Sequence, residues 1–328
     1  MAVEPAELDY QFIRLTTKPT AQICYSFQVP ASSAVSSTKP LLVVFLNGLG
    51  LQQTSWAPLI VKLKELRPDT SMPMTLTYDR FGQGQTTDRD PQDERASDPM
   101  HAHDCMSAIK DLRQLIVQII AEMMGIVDTN KVTLVFVSNS IGCALTRLYV
   151  QEYPGTVAGI LLLDSVLANS DFVSVFPDPD SEGFDASKAL PDGINPDTLR
   201  TARERVRRVF HPDVGNKEGL SRKNLSSLLP KSDSPVLKGV DGRGPYVTVV
   251  GHDFETFAEQ GEKMGSPKAL AMNYTNPYWH AYNQGLSKIT EPARSKGPLQ
   301  APGCGHFVQQ DNPAFVAQEL DEILSNVM

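Results

Sequence analysis

Two kinds of apolar run alternate along this chain. One kind is short and unbroken: "LLVVFL" (Leu41–Leu46), "VTLVFV" (Val132–Val137), "VAGILLL" (Val157–Leu163) and "YVTVV" (Tyr246–Val250). Runs of this length with no polar alternation read as strands covered on both faces. The other kind repeats every three or four residues. In "TSWAPLIVKLKEL", Trp56, Leu59, Ile60, Leu63 and Leu66 fall on one side, and "DCMSAIKDLRQLIVQIIAEMM" and "IGCALTRLYVQEY" follow the same rule. These predict amphipathic helices. Strand and helix in alternation predict a doubly wound, mostly parallel α/β sheet with helices on both faces. Ahead of it, "QFIRLT" and "ICYSFQV" are spaced to pair as a hairpin. The Ser- and Pro-rich stretch Val29–Pro40 reads as a loop.

The alternation stops after "GILLLDS". Residues 165–244 are rich in Asp, Pro, Ser, Arg and Lys, and far exceed an ordinary connection. They are expected to be an insertion, with residues 1–164 and 245–328 forming the core. "NPDTLRTARERVRRVF" predicts a helix there, with Pro196 near its start and Asp197 at its positive end; "GLSRKNLSSLLP" is a candidate for a second.

Composition narrows the class. The chain has 328 residues, 41% hydrophobic and 21% charged, enough to bury a large core. A formal net charge of −8 argues against nucleic acid or an anionic membrane as the main partner. The start carries Glu4, Glu7 and Asp9 in place of a basic and then apolar leader, and no apolar run is long enough to span a bilayer. Cys24, Cys105, Cys143 and Cys304 are scattered without a CxxC. A reduced, cytoplasmic protein without structural metal or cofactor is expected.

Chemistry concentrates at "VSNSIG". A buried strand, a turn of small residues and then a helix can hold a serine Oγ clear of the backbone at a helix N-terminus. Ser140 has Gly142 two residues later and is the candidate nucleophile; Ser138 takes the place where a glycine is usual and only bulk is restricted. Backbone N–H groups of Leu49, after "FLNG", and Ile141 are candidates for an oxyanion hole. His306 lies in the glycine-rich "APGCGHF", where an imidazole can tilt toward a serine. His211 falls in the insertion and His280 in an aromatic segment. "HAHDC", with His101 and His103, begins like a binuclear metal motif, but its aspartate is one residue early and the last histidine is missing, so no metal site is assigned.

Taken in order, "FLNGLG", "YDRFGQGQT", "VSNSIG" and "GCGHFVQQDNP" make the chain from about Leu41 to Val327 resemble the α/β-hydrolase superfamily. The resemblance implies an eight-stranded sheet with a mainly helical cap inserted after the sixth strand, and a Ser–His–acid triad acting through an acyl-enzyme. The acid is open. After the sixth strand stands Asp164; after the seventh, "VTVVGHDFE" offers Asp253 and Glu255, while Phe254 holds the place three residues after glycine where the family's acid is common. Asp164 is preferred, Asp253 second.

A cap would set substrate preference. Phe172, Val173, Val175, Phe176, Phe184, Phe210 and Leu225 are its candidate lining residues, joined by Tyr274, Tyr278, Trp279 and Tyr282, which serve helix packing equally well. The expected substrate is an apolar, uncharged, partly aromatic ester or lactone of moderate size. A carbon–carbon bond hydrolase on the same triad, and a small-ligand receptor of the same fold without turnover, are the alternatives. A dehalogenase would need an aspartate where Ser140 stands.

Overall fold

A computed structural model of the chain describes residues 8–30 and 39–328. The expectation of no leader peptide rests partly on residues 1–7, and the Ser-rich loop reading on 31–38; both stretches lie outside the described residues. Eight strands form one sheet: β1 (Gln11–Arg14), β2 (Gln22–Gln28), β3 (Leu41–Leu46), β4 (Met74–Tyr78), β5 (Thr133–Ser140), β6 (Val157–Ser165), β7 (Tyr246–Gly251) and β8 (Ser295–Gln300). Their order is β1-β2-β4-β3-β5-β6-β7-β8. β2 runs antiparallel to both neighbours, as the hairpin reading requires, and every other pairing is parallel.

The unbroken strands are covered on both sides. Leu134, Phe136, Ile160 and Leu162 point into one apolar layer, whereas Val135, Val137, Leu161 and Leu163 point into the other. That is the period-two alternation of a pleated strand with no solvent face. The main helices are α1 (Ala57–Leu66), α2 (Cys105–Met124), α3 (Ile141–Glu152), α4 (Pro196–Phe210), α5 (Phe254–Lys263), α6 (Asn276–Leu286) and α7 (Pro313–Val327). α2, α3 and α6 fill the first layer, and α1 and α7 the second. Local signals fix their ends: Asp104 caps α2 through the Ser107 N–H at 3.0 Å, and Gly125 closes it at φ 67°.

Two readings are corrected in detail. Trp56 sits in a 3-10 turn before α1, and Leu66 is half exposed, so the buried stripe of α1 is Ala57, Leu59, Ile60 and Leu63. "GLSRKNLSSLLP" makes only one helical turn, Leu225–Leu228, because Leu220–Ser221 is drawn into a parallel pair with His103–Asp104. Within the segment between β6 and β7, α4 forms as its caps predict, with Asn195 accepting from the Thr198 N–H at 2.8 Å. β8 is an edge strand that admits Pro298, with a register shift between Lys296 and Leu299. Among the described residues, no helix is long and apolar enough to cross a membrane. All four cysteines are buried and unpaired with one another.

Candidate active site

The turn after β5 is strained where the chemistry is expected. Ser140 has φ 56° and ψ −121°, a conformation that side chains avoid and that costs on the order of 1–3 kcal/mol. The strain lifts Ser140 off the strand at the N-terminus of α3. It persists because the surroundings leave no alternative. A Cβ on Gly142 would lie 2.3 Å from the Leu46 carbonyl oxygen, so α3 approaches β3 as closely as backbone can. Gly142→Ala is therefore expected to lower stability by about 1–3 kcal/mol, read as a reduced urea midpoint; an unchanged midpoint would mean that the elbow relaxes freely. Ser138 is fully buried, with its Oγ donating to the Leu161 carbonyl at 3.4 Å. It faces no solvent.

Asp164 and His306 are brought together. His306 Nδ1 lies 2.6 Å from Asp164 Oδ2, with Asp164 fully buried and the His306 side chain 26% exposed. The His306 loop is tied to the elbow itself: Asn139 Nδ2 donates to the carbonyls of both His306 and Leu163 at 3.0 Å. One amide thus spans the ends of β5 and β6 and the histidine loop, beside Ser140.

Asp253 is engaged at a helix end. Its carboxylate accepts from the Thr256 N–H at 2.9 Å and caps α5. Glu255 pairs with Lys268 on the surface. Sequence reasoning overlooked the residue just before Asp253. His252 is buried, its Nδ1 is 2.8 Å from Asp164 Oδ1, and its backbone N–H donates to the same oxygen at 3.2 Å. Asp164 therefore serves two histidines, one on each oxygen. Burial alone would push its carboxyl up. The charge and hydrogen bond of His252, then those of His306, outweigh burial and hold it at about 2.

The loop after β3 packs against the elbow. A Cβ on Gly48 would be 3.3 Å from Ser140 Cβ and 3.1 Å from Asn139 Oδ1. Its carbonyls are held by the "DRFGQG" segment: Arg80 Nη1 donates to Asn47 O at 2.8 Å, while Arg80 Nη2 and Gln83 Nε2 each donate to Gly48 O at 3.0 Å. With those carbonyls engaged, the loop carrying Leu49 is fixed where Gly48 meets Ser140 and Asn139. Asp79 accepts from the Gln53 and Gln85 N–H groups, which explains its place in the segment without a reacting role.

A second overlooked residue, Glu218, reaches this loop from the segment between β6 and β7. Glu218 is buried, pairs with Arg80 at 2.9 Å, accepts from Gln83 Nε2 at 2.8 Å and from the Gly50 N–H. Nothing in its local sequence marks it. Glu218→Gln should destabilise the fold by about 3 kcal/mol in urea unfolding, because Arg80 is left buried without its counter-charge, and turnover should fall as the Gly48–Gly50 loop loosens. Unchanged stability and turnover would count against the loop being held from that segment.

The remaining candidates separate. Trp279 stands beside His306 with ring centroids 5.8 Å apart, and Phe172 meets Trp279 edge-on at 6.3 Å. Tyr282 is structural, its hydroxyl bonded to Arg147 and to the Ala168 N–H. Tyr278 is partly exposed, and the Tyr274 hydroxyl donates to the Ala189 carbonyl. Val173, Val175, Phe176 and Leu225 are buried in packing, while Phe210 is half exposed. His103 does join Asp90 and Asp93 in a cluster, but Lys18 bridges Asp90 and Asp111 at 2.6 and 2.7 Å and Arg89 meets Asp93 at 2.9 Å. Protein cations already answer that charge, and Asp104 of the suspected motif is occupied in capping α2.

A serine on a strained strand–helix turn and a histidine–aspartate pair lie at the carboxyl ends of parallel strands. Residues 43–319 match the family model described as the alpha/beta hydrolase family, so the chain belongs to that family and is by membership a hydrolase. No protein of curated function matches the sequence. Among solved structures it is similar to a thermophilic esterase from Thermogutta terrifontis (16% identity, TM-score 0.51, 97% of this chain and 99% of that one). It is also similar to a mutant epoxide hydrolase from Vigna radiata (12% identity, TM-score 0.54, 98% of this chain and 99% of that one). At such identities the likeness is one of fold.

Proposed function

We propose that the protein is a serine hydrolase of apolar, uncharged esters or lactones, with Ser140, His306 and Asp164 as its triad and residues 165–244 as its cap. The observation that carries this reading is the 2.6 Å contact between His306 Nδ1 and Asp164 Oδ2, beside a serine in a strained turn. His306 takes the Ser140 proton as Oγ attacks the substrate carbonyl, and the N–H groups of Leu49 and Ile141 receive the developing oxyanion. The tetrahedral intermediate collapses, the leaving alcohol takes the proton back from His306, and an acyl-Ser140 remains. Water, deprotonated by His306, releases the acid and frees the serine.

Support for an apolar substrate comes from the aromatic rings at the histidine: Trp279 and Phe307 neighbour His306, and Phe172 meets Trp279 edge-on. Fold likeness alone does not select among the reactions of the family's neighbours, but a serine at the elbow selects acyl transfer over a carboxylate nucleophile.

The test is a panel of neutral esters and lactones, with epoxides, vinylogous diketones and carboxylate-bearing esters as controls. Turnover confined to neutral esters or lactones is expected. Turnover of diketones alone would transfer the triad to carbon–carbon cleavage, and tight binding without turnover would make the protein a receptor.

A further inference from the structure

The second histidine on Asp164 stands in surroundings that fix its chemistry. His252 Nδ1 and its own backbone N–H both approach Asp164 Oδ1, an oxygen that only accepts. On the other side of the ring, Nε2 lies 3.2 Å from Asn276 Oδ1. The orientation of that amide is decided by its far end. Asn276 Nδ2 donates to the Phe254 carbonyl at 3.0 Å and toward Met272 Sδ at 3.4 Å, and neither can donate in return. Turning the amide over would set oxygen against oxygen. Asn276 therefore presents its carbonyl to His252, and both ring nitrogens of His252 face acceptors.

We infer that His252 is a buried, permanently protonated imidazolium that acts as a positioning residue: it pins Asp164 through one oxygen and leaves the other for His306. A neutral imidazole would either take its donor away from Asn276 Oδ1 or set a bare Nδ1 lone pair against Asp164 Oδ1, which would then hold only the backbone N–H. The ring also stacks on Phe257 at 4.0 Å between centroids and 16° between planes, a face that favours a cation. The charged and titratable groups around it are Asp164 on β6, Asp253 on its own loop and, across Asp164, His306; α5 and α6 add only Phe254, Phe257, Asn276 and Trp279. Burial works against the charge, and the Asp164 carboxylate overcomes it, with help from Asn276 and Asp253, so protonation is favoured.

The inference rests on the triad reading for its catalytic meaning, and two readouts separate the two. The first is imidazole nitrogen NMR of the ¹⁵N-histidine-labelled wild-type protein at pH 8. One histidine should have both nitrogens protonated, and its signals should vanish in His252→Gln and persist in His306→Ala. A His252 with one bare nitrogen at pH 8 would overturn the inference, whatever the enzyme's activity.

The second readout is the pH dependence of labelling by a fluorophosphonate probe. The imidazolium's charge lies across Asp164 from His306. His252→Gln removes the positive charge, so the Asp164–His306 pair binds its proton more readily. The acid limb should move to higher pH by roughly one unit. Asn276→Leu, which removes the acceptor at Nε2 and leaves the ring in place, should move the limb in the same direction and strip one proton from His252 in the NMR spectrum. An acid limb unmoved in both folded variants would overturn the positioning role. Wild-type protein that takes no label at any pH, yet keeps the doubly protonated His252, would instead refute the serine-hydrolase reading.

Discussion

Ser140→Ala should reduce ester turnover on the order of a million-fold and abolish covalent labelling by a fluorophosphonate. The size of the loss follows from covalent catalysis. The other groups at the site can orient a substrate and stabilise an oxyanion, but without Oγ there is nothing to take the acyl group. Folding should not suffer. Alanine removes one hydroxyl from a half-buried position, and relief from the strained turn is not involved because alanine keeps the same Cβ at φ 56°. The variant is best checked by paired measurements of labelling and urea midpoint. Ser138→Ala provides the contrast. Its hydroxyl is buried and donates to Leu161 O, so labelling should persist at the wild-type rate.

Asp164→Asn should lower kcat about ten-thousand-fold with little change in KM. An amide at this position presents a donor as readily as an acceptor to His306 Nδ1, and the tautomer able to take the serine proton is no longer enforced. The companion substitution makes the test selective. Asp253→Asn keeps an efficient helix cap for the Thr256 N–H, so both stability and turnover should stay near wild type. Steady-state kinetics of the two variants on the same ester distinguishes the candidates. A large loss in Asp253→Asn and a small one in Asp164→Asn would reverse the assignment.

The sheet was legible because its strands are buried on both faces. No polar alternation interrupts Leu41–Leu46 or Val157–Leu163, and helix-spaced runs separate them. Short-range chemistry was legible for the same kind of reason. A serine between a β-branched run and a glycine, and a histidine among glycines, are patterns confined to a few residues, although the contact that requires Gly142 comes from the distant Leu46 carbonyl. Asp164 and Asp253 were harder to separate. Each ends or follows a buried strand, and what separates them is which carboxylate the N-terminus of α5 claims.

Glu218 and His252 lay beyond reach for a different reason. Glu218 meets Arg80 and Gly50 across more than a hundred residues of sequence, and its neighbours carry no period or cap signal. His252 adjoins Asp253 in "VVGHDFE". The search there was for an acid, and the imidazole became significant only once β6 and β7 paired and set it against Asp164. Longer-range contacts also ended the second helix expected in the insertion, through the pairing of Leu220–Ser221 with His103–Asp104.

The central claim is that Ser140 is the nucleophile, and mapping the adduct tests it most directly. Wild-type protein treated with a fluorophosphonate should gain the mass of a single phosphonyl group, and fragmentation of the peptide spanning β5 and α3 should place it on Ser140. An adduct on Ser138 or on any residue outside that turn, or an unmodified protein that still hydrolyses esters, would contradict the account.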